Sequence, residues 1–152
     1  MKYRKDGIVI RQPNDNDFDS ILDLRWRVLD KPVDSPRQTE PTKNDVRPDV
    51  IHMEAFEENV AISTVRLDPY PERGEHIYLV RRMATDPKFQ RRGIGTDVLI
   101  EAERITASRG ATRIILHSRP GSVVFYESLG YKLNGRIEIH NGDENPEMEK
   151  NV

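Results

Sequence analysis

The chain has 152 residues, of which 24 are basic and 26 acidic, and its net charge is −2 at neutral pH. This length suits one domain, and we predict that residues 1–152 form a single domain. The near-neutral charge gives no indication of a nucleic-acid or membrane partner, and the absence of cysteine excludes disulfides, thiolate metal sites and a cysteine nucleophile.

The N-terminal third predicts a strand, a helix and a long irregular segment. The basic start, Met1–Lys5, precedes only three apolar residues. This is too few for a secretion signal, and we predict a cytoplasmic protein. Gly7–Arg11 is typical of a strand, and Asp15 or Asp17 can cap a helix that runs to about Leu29. Residues 31–49 show no period, and a loop of this length in a compact domain is commonly functional.

The middle of the chain predicts a hairpin, a strand and a helix. Val50–Phe56 and Val60–Leu67 are strand-like and close together, which predicts a β-hairpin. Glu75–Ala84 follows a proline-rich loop and is apolar until Arg81-Arg82 interrupts it. A helical pattern then runs to about Arg109, where the following glycine ends it.

The C-terminal third predicts further elements of both kinds. Thr112–His117 is typical of a buried strand, and Pro120–Leu129 of a helix that begins with proline. Three short closing strands are predicted: Tyr131–Asn134, Arg136–His140 and Pro146–Lys150. This order of elements predicts an α/β domain with a mixed sheet and helices on both sides.

The stretch between the predicted strand 75–84 and the next helix carries two glycines, Gly93 and Gly95. Backbone N–H groups at a helix N-terminus attract anions, and glycine lets the backbone approach a phosphate closely. The dinucleotide fingerprint fails because Val98 occupies its third glycine position, and no Gly-Lys-Ser/Thr of a P-loop is present. A plain turn from strand to helix is the alternative interpretation.

Two motifs resemble the GCN5-related N-acetyltransferases (GNAT). Gln90–Gly95 matches their Q/R-x-x-G-x-G/A pyrophosphate loop, and Phe125–Tyr131 matches their F-Y-x-x-x-G-F/Y signature. The resemblance covers about residues 75–131, and the segments Leu24–Val28 and Leu116–Tyr126 look most like the ElaA-type subgroup. It implies a central mixed, mostly antiparallel sheet flanked by helices, and acetyl-CoA as co-substrate.

The resemblance implies direct transfer of an acetyl group from a thioester to a primary amine. Tyr126 matches the general acid that protonates the leaving thiolate; the alternative is a core aromatic whose hydroxyl is satisfied locally. His117, at the end of a predicted strand, is a candidate base because imidazole titrates near neutral pH. Glu75, His76 and a water relay are its rivals.

The cofactor contacts that the resemblance implies fall into two groups. Backbone groups of Met83, Ala84 and Thr85 would pair with the pantetheine arm. Gln90 would brace the loop or contact the ligand, and the arginine side chains of the loop would bind phosphate or remain solvated. The pyrophosphate would be held by N–H groups of Arg91, Arg92, Gly93, Ile94, Gly95 and Thr96.

The acceptor side is less defined by the sequence. Arg25 and Arg27 lie on the first predicted helix, where they would bind an acidic acceptor or form surface salt bridges. The histidines lack metal-ligand spacing, and we expect no metal. We predict an N-acetyltransferase that favours a small-molecule amine; the alternatives are transfer to a protein or aminoacyl-tRNA, and a non-catalytic acyl-CoA-binding sensor. The closing strands are a candidate homodimer interface.

Overall fold

The computed structural model describes all 152 residues, which form one eight-stranded sheet flanked by helices. The strands are β1 (Lys2–Tyr3), β2 (Val9–Arg11), β3 (Ile51–Glu57), β4 (Val60–Pro69), β5 (Ile77–Thr85), β6 (Arg113–His117), β7 (Lys132–His140) and β8 (Asp143–Asn151). The helices are α1 (Phe18–Arg25), α2 (Ile94–Ser108) and α3 (Val123–Ser128).

The sheet is mixed and mostly antiparallel, in the order β1-β2-β3-β4-β5-β6-β8-β7. Only the central pair β5–β6 is parallel, and its connection is the long helix α2. A parallel pair needs such a crossover, whereas the antiparallel pairs β1–β2, β3–β4, β4–β5 and β7–β8 are joined by short connections. The predicted fold class is therefore confirmed.

Alternation along β3 explains why helices cover both faces of the sheet. Ile51 and Met53 point into the main core, which α2 and α3 complete. Phe56 belongs to a second cluster with Ile21 and Leu24 of α1. Successive side chains of a strand point to opposite faces, and the side chains of β3 are buried on both faces, so both faces are covered.

Three differences from the sequence-based elements bear on the fold, apart from shifts of up to three residues at the ends of α3 and β8. The short strand β1 was not predicted. The first helix continues past α1 as a π-helical turn, Trp26–Asp30, and ends near the predicted residue. The two predicted strands Tyr131–Asn134 and Arg136–His140 form one strand, β7, because an irregular register absorbs the turn-like residues around Gly135.

A separation between β5 and β6 shapes the functional region. The two strands pair only from Ile77–Leu79 with Arg113–Ile115. Beyond Leu79, β5 remains paired with β4 on one side. The other edge of β5, from Val80 onwards, has no β6 partner. A cleft lies between the unpaired ends of these strands.

The irregular segment 31–49 is attached to the sheet by a buried charge. One oxygen of Asp45 accepts hydrogen bonds from Arg25 Nη1 at 2.9 Å and from Arg66 Nη1 at 2.8 Å. The second oxygen accepts from the backbone N–H of Thr42 at 2.8 Å. Because a buried charge is costly unless it is paired and hydrogen-bonded, Asp45 holds this segment in one place.

Glu54 on β3 is a buried carboxyl next to this network. One of its oxygens accepts from Thr64 Oγ1 at 2.7 Å, while the other has no partner. Burial raises the pKa of Glu54 to about 8, against the opposing effects of the Thr64 hydrogen bond and the Arg25 charge. The side chain is therefore largely protonated at neutral pH.

We expect Glu54 to make the protein less stable as the pH rises. Its folded-state pKa of about 8 exceeds the ordinary value of 4.5, so the folded state binds the proton more tightly. This contribution to stability is complete below the ordinary pKa and is lost as the pH rises through the folded-state pKa. The equilibrium constant for unfolding should increase by at most about tenfold per pH unit in that window.

Urea unfolding of the wild type and of Glu54→Gln, at about pH 5, 7 and 9, measures this effect. Glutamine keeps the shape of the protonated carboxyl and does not titrate, so the variant should lose the Glu54 part of the pH dependence. If both proteins show the same dependence, Glu54 does not titrate in this range.

Candidate active site

The cleft between the ends of β5 and β6 has a volume of about 890 Å³, within the usual range for ligand sites. One wall is the free edge of β5, residues Val80–Thr85, followed by Gln90. The opposite wall contains His117, Arg119 and Tyr126. The cleft thus brings together six of the sequence-predicted site residues: Met83, Ala84, Thr85, Gln90, His117 and Tyr126.

The loop after β5 has the backbone geometry of an anion cradle. Arg91 and Gly93 both have left-handed φ values, 64° and 74°. Gly93 is the N-cap of α2 and provides no side-chain hydrogen bond, so the first-turn N–H groups of the helix are free to bind a ligand. The dipole of this 15-residue helix adds partial positive charge at the same point.

Gly95 has a different role from Gly93. A Cβ atom on Gly95 would lie 3.1 Å from Thr85 Oγ1, closer than ordinary contact. The missing side chain therefore lets α2 start tightly against the end of β5. Ile94 is 1% exposed and belongs to the main core, so only its backbone N–H faces a ligand.

Side chains brace this loop from two sides. Gln90 Nε2 donates to the carbonyl of Thr85 at 3.3 Å. Of the two roles considered for Gln90, bracing the loop or contacting the ligand, this hydrogen bond supports the first. Arg4, just after β1, donates to the carbonyl of Arg92 at 2.8 Å and also pairs with Asp97 in the first turn of α2. Contacts from the N-terminus therefore hold this loop in place, whereas the sequence analysis considered only residues of the loop itself.

Tyr126 on α3 points its hydroxyl at β5. The hydroxyl donates to Met83 Sδ at 3.6 Å, at the strand edge where the pantetheine arm was predicted to pair. Burial raises the pKa of Tyr126, and the charge of Arg119 opposes this only in part. The phenol therefore keeps its proton at neutral pH and is available as a donor inside the cleft.

His117 lies in the cleft but is held between two carboxylates. Its Nε2 is 2.9 Å from Glu147 Oε1, and its Nδ1 is 3.2 Å from Glu138 Oε2. Both ring nitrogens therefore already have a carboxylate partner within the chain. Burial disfavours the charge of Glu147, but hydrogen bonds from Arg73, Asn134 and His117 still lower its pKa to about 2.

The two other side chains considered as bases lie elsewhere. Glu75 and His76 precede β5, at the end opposite to the cleft, and their side chains are 94% and 61% exposed. Neither of them lines the cleft.

The assignment of Arg25 and Arg27 to the acceptor site needs correction. Arg25 is 1% exposed and pairs with Asp45, and Arg27 pairs with Asp23 and Asp86. Both arginines act as structural ion-pair partners and neither lines the cleft. The arginines that do line it are Arg66, Arg81, Arg82 and Arg119. Two of these, Arg81 and Arg82, could have been identified from the sequence, because they are charged residues within an otherwise apolar predicted strand.

Arg82 shapes the bulge at which β5 turns towards the loop. Its φ of 53° is left-handed, and the β4–β5 register shifts here, since Arg66 pairs with Arg81 but Thr64 pairs with Ala84. The guanidinium binds both oxygens of Asp30, at 3.0 and 2.8 Å. This two-point ion pair joins the end of the π-helical turn to the free edge of β5.

Two further observations complete the description of the site. The structure contains no group of three or more histidine, aspartate or glutamate side chains placed to hold a metal ion. No helix is long and apolar enough to cross a bilayer.

A split mixed sheet, an anion cradle at a helix start and a cleft tyrosine aimed at the free strand edge define an acyltransferase. The chain belongs to the acetyltransferase (GNAT) family, whose profile matches residues 18–131. The predicted family is thereby confirmed.

Relatives support the family without selecting a subgroup. A candidate acetyltransferase of Bacillus subtilis (strain 168) is 24% identical over 120 residues, which cover 78% of this chain and 79% of that protein. An aminoglycoside 6'-N-acetyltransferase crystallised with coenzyme A has a TM-score of 0.78 at 20% identity, over 94% of this chain and 96% of that one. Escherichia coli ElaA has a TM-score of 0.77 at 12% identity, over 94% and 97% of the two chains. The similarity to ElaA is thus one of fold, and the predicted ElaA-type subgroup is not confirmed.

Proposed function

We propose that this protein transfers the acetyl group of acetyl-CoA directly to a primary amine of a small molecule. The observation that carries this proposal is the position of Tyr126, whose hydroxyl faces Met83 on the free edge of β5. The predicted acid and the predicted pantetheine edge thereby share one cleft, which Gln90, just before the anion cradle, also lines. The volume of the cleft, about 890 Å³, lies within the range of small-molecule sites, and we therefore favour a small acceptor over a folded protein or a tRNA.

In this proposal the pyrophosphate binds to the N–H groups of residues 91–96, and the pantetheine arm adds to the free edge of β5 at residues 83–85. The thioester then lies between β5 and α3, next to Tyr126. The amine nitrogen attacks the thioester carbon, and the C–S bond breaks after the tetrahedral intermediate forms. Tyr126 gives its proton to the departing sulfur, and the charge of Arg119 favours the phenolate that Tyr126 then becomes.

The proton of the incoming amine needs a route out of the cleft. We infer that water carries it, because each carboxylate of the cleft is already engaged: Asp30 with Arg82, and Glu138 with His117. His117 remains the alternative base. A His117→Gln variant that keeps the wild-type pH profile of kcat would support the water relay, whereas loss of the acidic limb would identify His117 as the base.

A coupled assay of CoA release with a panel of small amines tests the proposed activity. Amine-dependent release that needs acetyl-CoA supports the transferase. Tight acetyl-CoA binding without release to any amine, peptide or aminoacyl-tRNA would favour the acyl-CoA-binding sensor instead.

We also propose that the chain forms a homodimer through β7, the edge strand of the sheet. Three large apolar side chains of this strand, Leu133, Ile137 and Ile139, are exposed. An edge strand with exposed apolar residues is a template for pairing with another strand, and a second copy offers the same edge.

Light scattering after size exclusion should give a dimer mass for the wild type and a monomer mass for Ile137→Glu. The matched control is Val60→Glu, a similar change at an exposed residue at the start of β4. If the wild type is monomeric, or if both variants behave alike, this interface is wrong.

A further inference from the structure

A pair of like charges faces the cleft. Arg81 on β5 lies directly opposite Arg66 on β4, and both residues line the cleft. Side chains opposite one another on neighbouring strands share a face, where like charges repel. Such an arrangement is unfavourable unless negative charge compensates each arginine.

Carboxylates of the chain neutralise only Arg66 of this pair. Arg66 donates to Asp45 at 2.8 Å and to Asp68 at 2.7 Å. Arg81 is exposed to the cleft and forms no ion pair with a carboxylate of the chain. The carboxylates that line the cleft are already used, since Asp30 binds Arg82 and Glu138 contacts His117. Arg81 is therefore a cation of the cleft wall that no carboxylate of the chain neutralises.

The position of Arg81 separates it from the pyrophosphate of the cofactor. Thr85, the last residue of β5, pairs with Ser63, and Arg81 pairs with Arg66 three residues further along β4. At about 3.3 Å per residue, Arg81 lies about 10 Å from Thr85 along the sheet, and the anion cradle begins beyond Thr85. Tyr126 faces Met83, between these two points, which places Arg81 on the acceptor side of the thioester.

The cleft wall near the end of the first helix contains apolar side chains. Val28, Leu29 and Val33 line the cleft there and offer apolar contact. A ligand between this wall and Arg81 would combine an apolar body with a negative group. An arginine binds carboxylate or phosphate oxygens through two parallel N–H donors, which fixes the orientation of the ligand.

We propose that Arg81 binds a carboxylate or phosphate group of the acceptor, so that the natural substrate is a small amine that also carries an anionic group. This inference rests on the proposed acetyltransferase function and makes Arg81 the residue that selects the acceptor. Loss of one such charged contact should lower kcat/KM for the anionic acceptor by about 10- to 100-fold.

The first experiment measures anion binding without knowledge of the substrate. Calorimetry first establishes CoA binding to the wild type, Arg81→Gln and Arg109→Gln; the last removes an equally exposed arginine at the end of α2. Inorganic phosphate, and separately acetate, is then titrated into each CoA-saturated protein, in which the cradle is already filled. At least one anion should bind to the wild type and to Arg109→Gln, and about tenfold or more weakly to Arg81→Gln.

The second experiment uses pairs of amines that differ by one anionic group: glucosamine with glucosamine 6-phosphate, and tyramine with L-tyrosine. The wild type should prefer the anionic member of at least one pair, Arg81→Gln should lose that preference, and Arg81→Lys should restore part of it. Equal loss for both members of a pair would overturn the proposal.

The outcomes distinguish this inference from the function on which it rests. If CoA binds but neither anion binds to the CoA-loaded wild type, or if Arg81→Gln and Arg109→Gln bind anions equally, the anion subsite is wrong and the transferase stands. If CoA itself does not bind, the proposed function fails.

Discussion

Replacing Tyr126 with phenylalanine is expected to lower kcat by about 10²- to 10⁴-fold, the usual contribution of a general acid. The change removes only the hydroxyl, whose hydrogen-bond partner in the free protein is the weakly accepting Sδ of Met83. The aromatic ring, which packs against the main core, remains. The Kd for acetyl-CoA should therefore stay close to that of the wild type, because the lost interaction forms chiefly as charge develops on the sulfur.

Tyr131→Phe is a matched control for this experiment. The Tyr131 ring lies 5.9 Å from that of Tyr126, but its hydroxyl donates to Glu103 inside the core, at 2.7 Å. The same chemical change at this position should lower stability and leave kcat nearly unchanged. If Tyr126→Phe lowers acetyl-CoA affinity as much as it lowers turnover, or if it retains full turnover, Tyr126 is not the acid.

The second large effect is expected from Gly93→Asp. The φ of Gly93 is left-handed at 74°, and a Cβ there would meet no atom within 4 Å, so the space allows a side chain. An aspartate would place a negative charge beside the cradle proposed for the pyrophosphate. At the short distances involved, repulsion of a few kcal/mol corresponds to a loss of acetyl-CoA affinity of about 100-fold or more.

Gly93→Asn separates charge from backbone strain. Asparagine has the shape of aspartate, and both residues tolerate the left-handed region better than other side chains do. Calorimetry with acetyl-CoA should give a modest loss for asparagine and a much larger one for aspartate. Equal losses would assign the effect to the backbone, and no loss in either variant would place the pyrophosphate elsewhere.

Local features of the sequence predicted the parts of the site that depend on local geometry. The cradle follows from glycines between a strand and a helix, because N–H groups at a helix start are free whatever the rest of the chain does. The motif around Tyr126 likewise predicted a cleft tyrosine, and the structure places its hydroxyl beside Met83. The mixed sheet followed from the order of the elements and from the family resemblance.

The roles of the charged side chains could not be predicted in this way. For Arg25 and Arg27 the sequence left two roles open, acceptor binding and salt bridges, and only the fold shows that Arg25 pairs with Asp45, 20 residues away, inside the core. His117 looked like a free base until the fold placed Glu138 and Glu147 on either side of it. The residues next to an arginine or a histidine in the sequence do not show whether the fold brings a carboxylate into contact with it.

The sequence by itself determined the family, the order of the elements from β2 to α3 and the glycine-bearing loop where the anion cradle is proposed, because each of these depends on short-range patterns. The tertiary structure alone decided which cations are neutralised and which remain without a carboxylate partner in the cleft, as Arg81 and Arg119 do. Arg82 meets its partner Asp30 across 52 residues, while Arg81 beside it meets none. Ion pairing depends on which segments the fold brings within a few ångströms of each other, and the spacing of residues along the chain carries little of that information.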